Sequence, residues 1–426
     1  MKLLIKNCSI AEPSIDYEGI KDIYIEDGII KGIEENISLE ADIVIDAAGL
    51  WVLPGFVDLH AHLREPGFEY KETVHSGTRA AARGGFTTVC CMPNTRPIID
   101  DEASLEHLLD IIKKEAAVNV HTIAAISKGQ KGKELTDMKT LSGMGAAAFS
   151  DDGRPVMTAA LMRKALIEAR ENGWLLIEHC EELSLAEGGA INQGIKSEQL
   201  GIKGIHPLSE ELNVMRDIML AEEAGAAIHL AHISTEGSVN IIREAKRRGV
   251  KVTCEVTPHH IGLTEDIIMP GFTECKVNPP LRRYRDVEAL KAGLKDGTID
   301  AIATDHAPHH RDEKGEDFYS AAFGISGFET AFPVCYTELV ANGMLTLKEL
   351  ARRMSSGPAG ILKLEAGIIR TGMAADLTIV DTSRDITVDK HLFLSKGKNT
   401  PFHGRSYKGA VVYTIVRGNV AYENEL

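Results

Sequence analysis

Between residues 50 and 365, short apolar runs alternate with amphipathic stretches, and most of the runs close on a polar cluster. Eight runs stand out, at 51–62, 87–94, 118–126, 146–152, 174–179, 227–232, 251–257 and 300–305. Continuous apolar runs of this length suit parallel strands covered on both faces. The stretches between them, such as 105–115, 157–171, 210–224 and 239–248, read as helices. Arg83-Gly84-Gly85, Asn172-Gly173, Arg248-Gly249 and Asp296-Gly297 supply stop signals at or near helix ends. Eight successive β/α units predict an α/β fold, a (β/α)8 TIM barrel, whose chemistry belongs at the C-terminal ends of the strands. The alternative, a doubly wound open sheet, would not bring ligands from the first, fourth, fifth, sixth and eighth strands to one point.

The two ends of the chain follow another rhythm. Residues 22–33 alternate in strand fashion about Asp27-Gly28 and predict a hairpin, and 375–381 and 411–419 repeat the style. Neither end is long enough for a comfortable core of its own. The expected arrangement is one small β-sandwich composed of residues 1–53 and 366–426, beside a barrel of residues 54–365.

The polar strand ends carry the chemistry. The first reads Phe56-Val57-Asp58-Leu59-His60-Ala61-His62-Leu63-Arg64; side chains two apart in a strand share a face, so His60 and His62 project together. The fourth ends Ser150-Asp151-Asp152-Gly153, the fifth Glu178-His179-Cys180-Glu181, the sixth Ala231-His232, and the eighth Thr304-Asp305-His306-Ala307-Pro308-His309-His310. A core histidine bonded to a backbone carbonyl would account for any one of these, but not for five strand ends agreeing. Four imidazoles and several carboxylates suit a two-metal site with one carboxylate able to bridge. Such a pair lowers the pKa of a shared water to about 7 and polarises a carbonyl. A nearby carboxylate then takes the water's proton and returns it to a leaving nitrogen. Asp305 suits that part, a purely ligating role being the alternative. The reaction class is hydrolysis of an amide-like bond, or its reversal.

Composition narrows this picture only at its edges. The chain is 44% hydrophobic and 26% charged, as in a soluble enzyme, and a net charge of −15 argues against a nucleic-acid partner. The N-terminus lacks a signal-peptide stretch, and no run of about 18 apolar residues suggests a membrane span. Seven cysteines without a CxxC pair read as reduced, buried thiols. A cytoplasmic protein is the expectation.

The strings 58–67 (Asp-Leu-His-Ala-His-Leu-Arg-Glu-Pro-Gly), Met92-Pro93-Asn94-Thr95, Asp151-Asp152-Gly153, Val277-Asn278-Pro279-Pro280-Leu281-Arg282 and 303–309 together resemble the dihydroorotases of the amidohydrolase superfamily, most closely the long bacterial type. The likeness spans essentially the whole chain, including residues 394–402. It implies a zinc enzyme, with two Zn2+ per subunit, interconverting N-carbamoyl-L-aspartate and (S)-dihydroorotate in pyrimidine biosynthesis. It further implies that His60 and His62 hold one zinc with Asp305, that His179 and His232 hold the second, and that Asp152 bridges in place of the carboxylated lysine of many relatives. Adjacent strand residues face opposite ways, so Asp151 is the competing bridge, and the family pattern favours Asp152. Arg64, on the face of His62, can fork a substrate carboxylate. The resemblance adds His62, Asn94 and His309 around the substrate and Asn278, Phe323 and Gly324 around its ring.

The stretch 308–322 reads as a mobile loop. His259, His260, His306 and His310 are held as supporting residues near the site, while His75, His107, His121, His206, His229, His391 and His403 receive no role. Two rivals stand beside this reading: an allantoinase or a dihydropyrimidinase of the hydantoinase kind, and a non-catalytic scaffold for aspartate transcarbamoylase. A homodimer is the family-level expectation for assembly, and association with that transcarbamoylase is compatible with retained activity.

Overall fold

The computed structural model describes residues 1–14 and 17–424. The chain opens with strands β1 (Lys2–Glu12), β2 (Tyr17–Glu26), β3 (Ile29–Glu34), β4 (Ile43–Asp46) and β5 (Trp51–Pro54). Glu26 pairs with Ile29, so β2 and β3 form a hairpin about the two-residue turn Asp27-Gly28. Eight strands then run parallel in sequence order: β6 (Phe56–Ala61), β7 (Phe86–Cys91), β8 (Asn119–Ala124), β9 (Ala146–Phe149), β10 (Leu176–Glu178), then, after the small ribbon β11 (Ile191–Asn192) and β12 (Gly204–Ile205), β13 (Ile228–Leu230), β14 (Val252–Val256) and β15 (Ala301–Ile302). The ring closes just beyond β15, where Ala61 bridges His306 and the His62 N–H donates to the His306 carbonyl at 2.8 Å. β16 (Leu377–Thr387), β17 (Ser406–Val416) and β18 (Asn419–Glu423) complete a second sheet, ordered β18-β17-β16-β5-β1-β2-β3 with β4 beside β1.

The barrel is therefore an eight-stranded parallel sheet, and the two ends of the chain combine in one mixed sheet. An extensive apolar cluster lies between the barrel strands and their helices. It continues through the rings of Phe56, Phe86 and Phe332, whose centroids lie 5.7 Å apart in the pairs Phe56–Phe86 and Phe56–Phe332. A separate cluster, with Leu3, Ile5, Ile23, Ile25, Val52, Leu377, Ile379 and Ile415, is enclosed by the terminal sheet. Among the described residues, no helix is long and apolar enough to cross a membrane.

The apolar run 51–62 is not one strand. It is cut at Gly55, with β5 paired to β1 and β16 in the terminal sheet and β6 opening the barrel. Gly55 lies so close to Thr87 that a Cβ would sit 2.1 Å from its Oγ1. Its N–H donates to the Asp376 carbonyl at 2.9 Å, so a side-chain-free residue turns the chain from one sheet to the other.

The barrel strands are also shorter than their apolar runs. His179 follows β10 directly, His232 comes two residues after β13, and Asp305 three after β15. Arg64, His232 and Asp305 have positive φ angles of 62°, 35° and 45°. For residues with a side chain this is a strained conformation, one that collects at working sites.

Candidate active site and metal centre

At the C-terminal mouth of the barrel, His60, His62, Asp152, His179, His232 and Asp305 converge. His60 Nε2 lies 3.3 Å from Asp152 Oδ1 and 3.6 Å from Asp305 Oδ1, and His62 Nε2 lies 3.2 Å from that Asp305 oxygen and 3.5 Å from Asp152 Oδ2. On the other side, His179 Nδ1 is 2.9 Å from His232 Nε2 and 3.8 Å from Asp152 Oδ1. Two overlapping sets, His60/His62/Asp305 and His60/Asp152/His232, keep their ligand atoms within 4.8 Å of one another. All six residues are buried.

Asp152, not its neighbour, faces this centre. Asp151 Oδ1 accepts from the backbone N–H groups of Ile126 and Ser127 at 2.9 and 3.0 Å, and Oδ2 accepts from the Ser127 hydroxyl. That carboxylate is occupied in securing the loop after β8.

Three of the imidazoles have one ring nitrogen tied to an acceptor. Glu255 Oε1 lies 3.1 Å from His60 Nδ1, Asn94 Oδ1 lies 3.0 Å from His62 Nδ1, and Glu181 Oε2 lies 3.3 Å from His179 Nε2. An N–H directed at each acceptor leaves the lone pair of the other nitrogen aimed at the shared centre, the usual arrangement of histidine ligands. His60 Nε2 is buried without a hydrogen-bond partner. Between His179 Nδ1 and His232 Nε2 there is room for one shared proton, so two buried carboxylates and four imidazoles crowd one point, an array that a cation would hold together. The donor set therefore fits divalent metal.

Electrostatics agree with ionised carboxylates here. Burial raises the Asp305 carboxyl, but the His62 hydrogen bond and the imidazoles of His60, His62 and His232 outweigh it and hold the group below the usual carboxylate range. Burial likewise opposes ionisation of Glu255, yet the hydrogen bonds from His229 and His60 bring it to about 2.

A cavity of about 240 Å³ opens over the centre, lined by His62, Arg64, Asn94, Asp152, Gly153, His179, His232, Asn278, Asp305, Ala307, His309, Phe323 and Gly324. Arg64 stands on one wall, its Nε donating to the Pro308 carbonyl at 3.2 Å and its Nη2 3.2 Å from His309 Nε2. His309 Nε2 is also 2.8 Å from the Phe323 carbonyl. Burial and then the charges of Arg64 and Lys71 lower the His309 pKa to about 3, so this imidazole is neutral. Asn278 Nδ2 donates to Glu181 Oε1 at 3.1 Å. Asn94 does more than line the wall. Its Nδ2 donates to Asp152 Oδ2 at 3.0 Å, so one amide orients both His62 and Asp152.

The supporting histidines divide. His306 stacks on Phe328 with ring centroids 4.0 Å apart, its Nδ1 accepting from the Gly327 N–H at 3.1 Å. His260 spans the Thr257 hydroxyl and the Pro279 carbonyl at 2.7 and 2.9 Å. His259 Nε2 is buried without a partner, and His310 is half-buried. His229, given no role from sequence, lies with Nε2 3.1 Å from Glu255 Oε2 and Nδ1 2.8 Å from Thr253 Oγ1. Glu255 and His229 sit within strands among apolar neighbours, and no sequence signal distinguished them. The stretch 308–322, expected to be mobile, is fastened at Lys314, whose Nζ donates to the carbonyls of Lys276, Ala322 and Gly324 at 3.1, 2.8 and 3.2 Å.

A parallel eight-stranded barrel carrying this centre at its mouth defines the amidohydrolase class. Residues 199–422 match the family model described as Amidohydrolase family, and residues 49–238 the one described as Dihydro-orotase-like. Proteins named dihydroorotase from Acetivibrio thermocellus and Thermoanaerobacter sp. are 50% and 51% identical over 424 and 425 residues, covering 100% of this chain and 100% and 98% of their own. The chain belongs to the dihydroorotase family. Among solved structures, the L-hydantoinase (dihydropyrimidinase) from Arthrobacter aurescens superposes with a TM-score of 0.90 at 26% identity, covering 99% of this chain and 96% of its own. The D-hydantoinase from Thermus sp. does so with a TM-score of 0.83 at 26% identity, covering 99% and 95%.

Proposed function

We propose that the chain is a working zinc dihydroorotase, closing N-carbamoyl-L-aspartate to (S)-dihydroorotate and opening it again, as pyrimidine synthesis requires. The observation that carries this reading is the wall of the cavity: a guanidinium, Arg64, stands beside a buried cluster of imidazoles and carboxylates. Dihydroorotate carries a carboxylate next to its cyclic ureide. Hydantoin and dihydrouracil lack that charge, and for them Arg64 would have no counter-ion.

His60, His62 and Asp305 would hold one zinc, His179 and His232 the other, with Asp152 between. Bound there, zinc supplies an acidified water and a polarised carbonyl. Asp305 accepts the proton of the attacking water as the C–O bond forms at the ring amide carbonyl. It returns that proton to the ureide nitrogen as the C–N bond breaks, and the water's other proton is released to solvent, leaving a carboxylate and a free carbamoyl nitrogen. Cyclisation runs the same transfers backwards. Arg64 holds the substrate carboxylate, while Asn278 and the backbone of Phe323 and Gly324 meet the ring.

Comparison of kcat/KM on dihydroorotate, hydantoin, dihydrouracil and allantoin tests the reading; dihydroorotate is expected to lead, and its losing to any of the others would end it. Arg64→Ala should raise KM for dihydroorotate by about 10–100-fold, the value of a charged hydrogen-bonded contact, with kcat little changed. Unchanged KM and kcat would remove Arg64 from substrate binding.

A further inference from the structure

Residues 394–402 supply no ligand, base or substrate contact, yet they reach the barrel mouth. Asn399 is 3% exposed and its side-chain amide is used in full. Oδ1 accepts from the His309 N–H at 2.9 Å and the Ser326 hydroxyl at 3.1 Å; Nδ2 donates to the carbonyls of Ala307 at 3.2 Å and Gly324 at 2.9 Å. The Asn399 carbonyl accepts from the Ser326 N–H at 2.8 Å. The chain can lie this close because residue 397 is glycine. A Cβ there would be 2.5 Å from the Pro308 Cβ and 2.8 Å from Asn399 Oδ1.

The four bonds join two separate segments. One follows Asp305 and carries His309; the other carries Gly324, next to the Phe323 carbonyl that His309 meets. We propose that Asn399 is a positioning residue that sets the spacing of the carboxylate-binding wall, holding His309 and Gly324 in place beside Arg64. What the wall holds rests on the dihydroorotase reading above. The residue type follows from the bonds. Aspartate would present no donor to the Ala307 and Gly324 carbonyls, and alanine would leave all four partners without the side chain.

The test compares Asn399→Ala and Asn399→Asp with Asn119→Ala in the full chain. Asn119 also loses two amide bonds, to the Thr87 carbonyl and Asp376, but at the opposite end of the barrel. Both Asn399 variants should raise KM for dihydroorotate about 10–100-fold, as expected for loss of several hydrogen bonds that order one binding surface, with kcat within about threefold and bound metal unchanged. Asn119→Ala should lower Tm and leave KM alone. Should the Asn399 variants fail to fold, Ser326→Ala deletes one of the four bonds and should raise KM about 2–10-fold. A KM unmoved in whichever of these variants folds, or kcat and metal content falling together with it, overturns the assignment while dihydroorotase activity of the unaltered chain stands. An unaltered chain inactive on dihydroorotate overturns both.

Discussion

Asp305→Ala should reduce turnover of dihydroorotate by about 10²–10⁴-fold from lost proton transfer alone, and further if metal leaves with it. Asp305 Oδ1 lies within 3.6 Å of both first-strand imidazoles, at the mouth where the attacking water would sit, and its ionised form has a free oxygen to accept a proton. Asp305→Asn separates the two duties. It keeps the shape and one neutral oxygen ligand but has no basic oxygen for the water's proton. Elemental analysis alongside kcat for both variants provides the check. Near-normal kcat in either would refute the acid–base role, and a metal-replete but inactive Asp305→Asn would support it.

The second large effect is expected on metal affinity. Glu255 is an ionised carboxylate inside the barrel, shared between His60 Nδ1 and His229 Nε2 at 3.1 Å each. An N–H on His60 Nδ1 directed at this carboxylate would leave Nε2 free to ligate a metal. In Glu255→Gln the amide has one oxygen and one NH2 for two imidazoles. One of them must accept instead of donate, which for His60 would move its proton to the ligating nitrogen. Metal affinity should fall about 10–100-fold, as is typical when such a partner is lost. Competition with a chelating indicator reads this directly, without reference to catalysis. An affinity equal to that of the unaltered chain would show that Glu255 serves packing only.

The barrel was legible from sequence because each buried parallel strand leaves a continuous apolar run and each run stops at a polar cluster. The candidate site was legible for the same reason: His60, His62, His179, His232 and Asp305 all stand where apolar character ends, and the fold brings them together. What escaped lies where that contrast is missing. Gly55 interrupts an apolar run without adding polarity, so 51–62 read as one strand while its halves belong to different sheets. Glu255 and His229 sit inside strands, where only the neighbouring strand's register reveals that they meet. Asn94 lines the cavity as its substrate-contact reading requires, but its further place between His62 and Asp152 depends on rotamers that no spacing encodes. Asn399 lay in a string noticed for its likeness to the family, and its four partners are 73 to 92 residues away.

The handover at Gly55 has a bearing on how the enzyme could be trimmed. Only Gly55 separates the strand that leads to His60 and His62 from a strand hydrogen-bonded on both sides within the other sheet. Removing the first fifty residues would strip β1 from β5 and bare a ladder of unpaired backbone groups, the kind of edge that recruits another chain. A minimal catalytic fragment cut to the barrel alone should therefore aggregate during refolding, and engineering of this scaffold is better directed at its loops than at its ends.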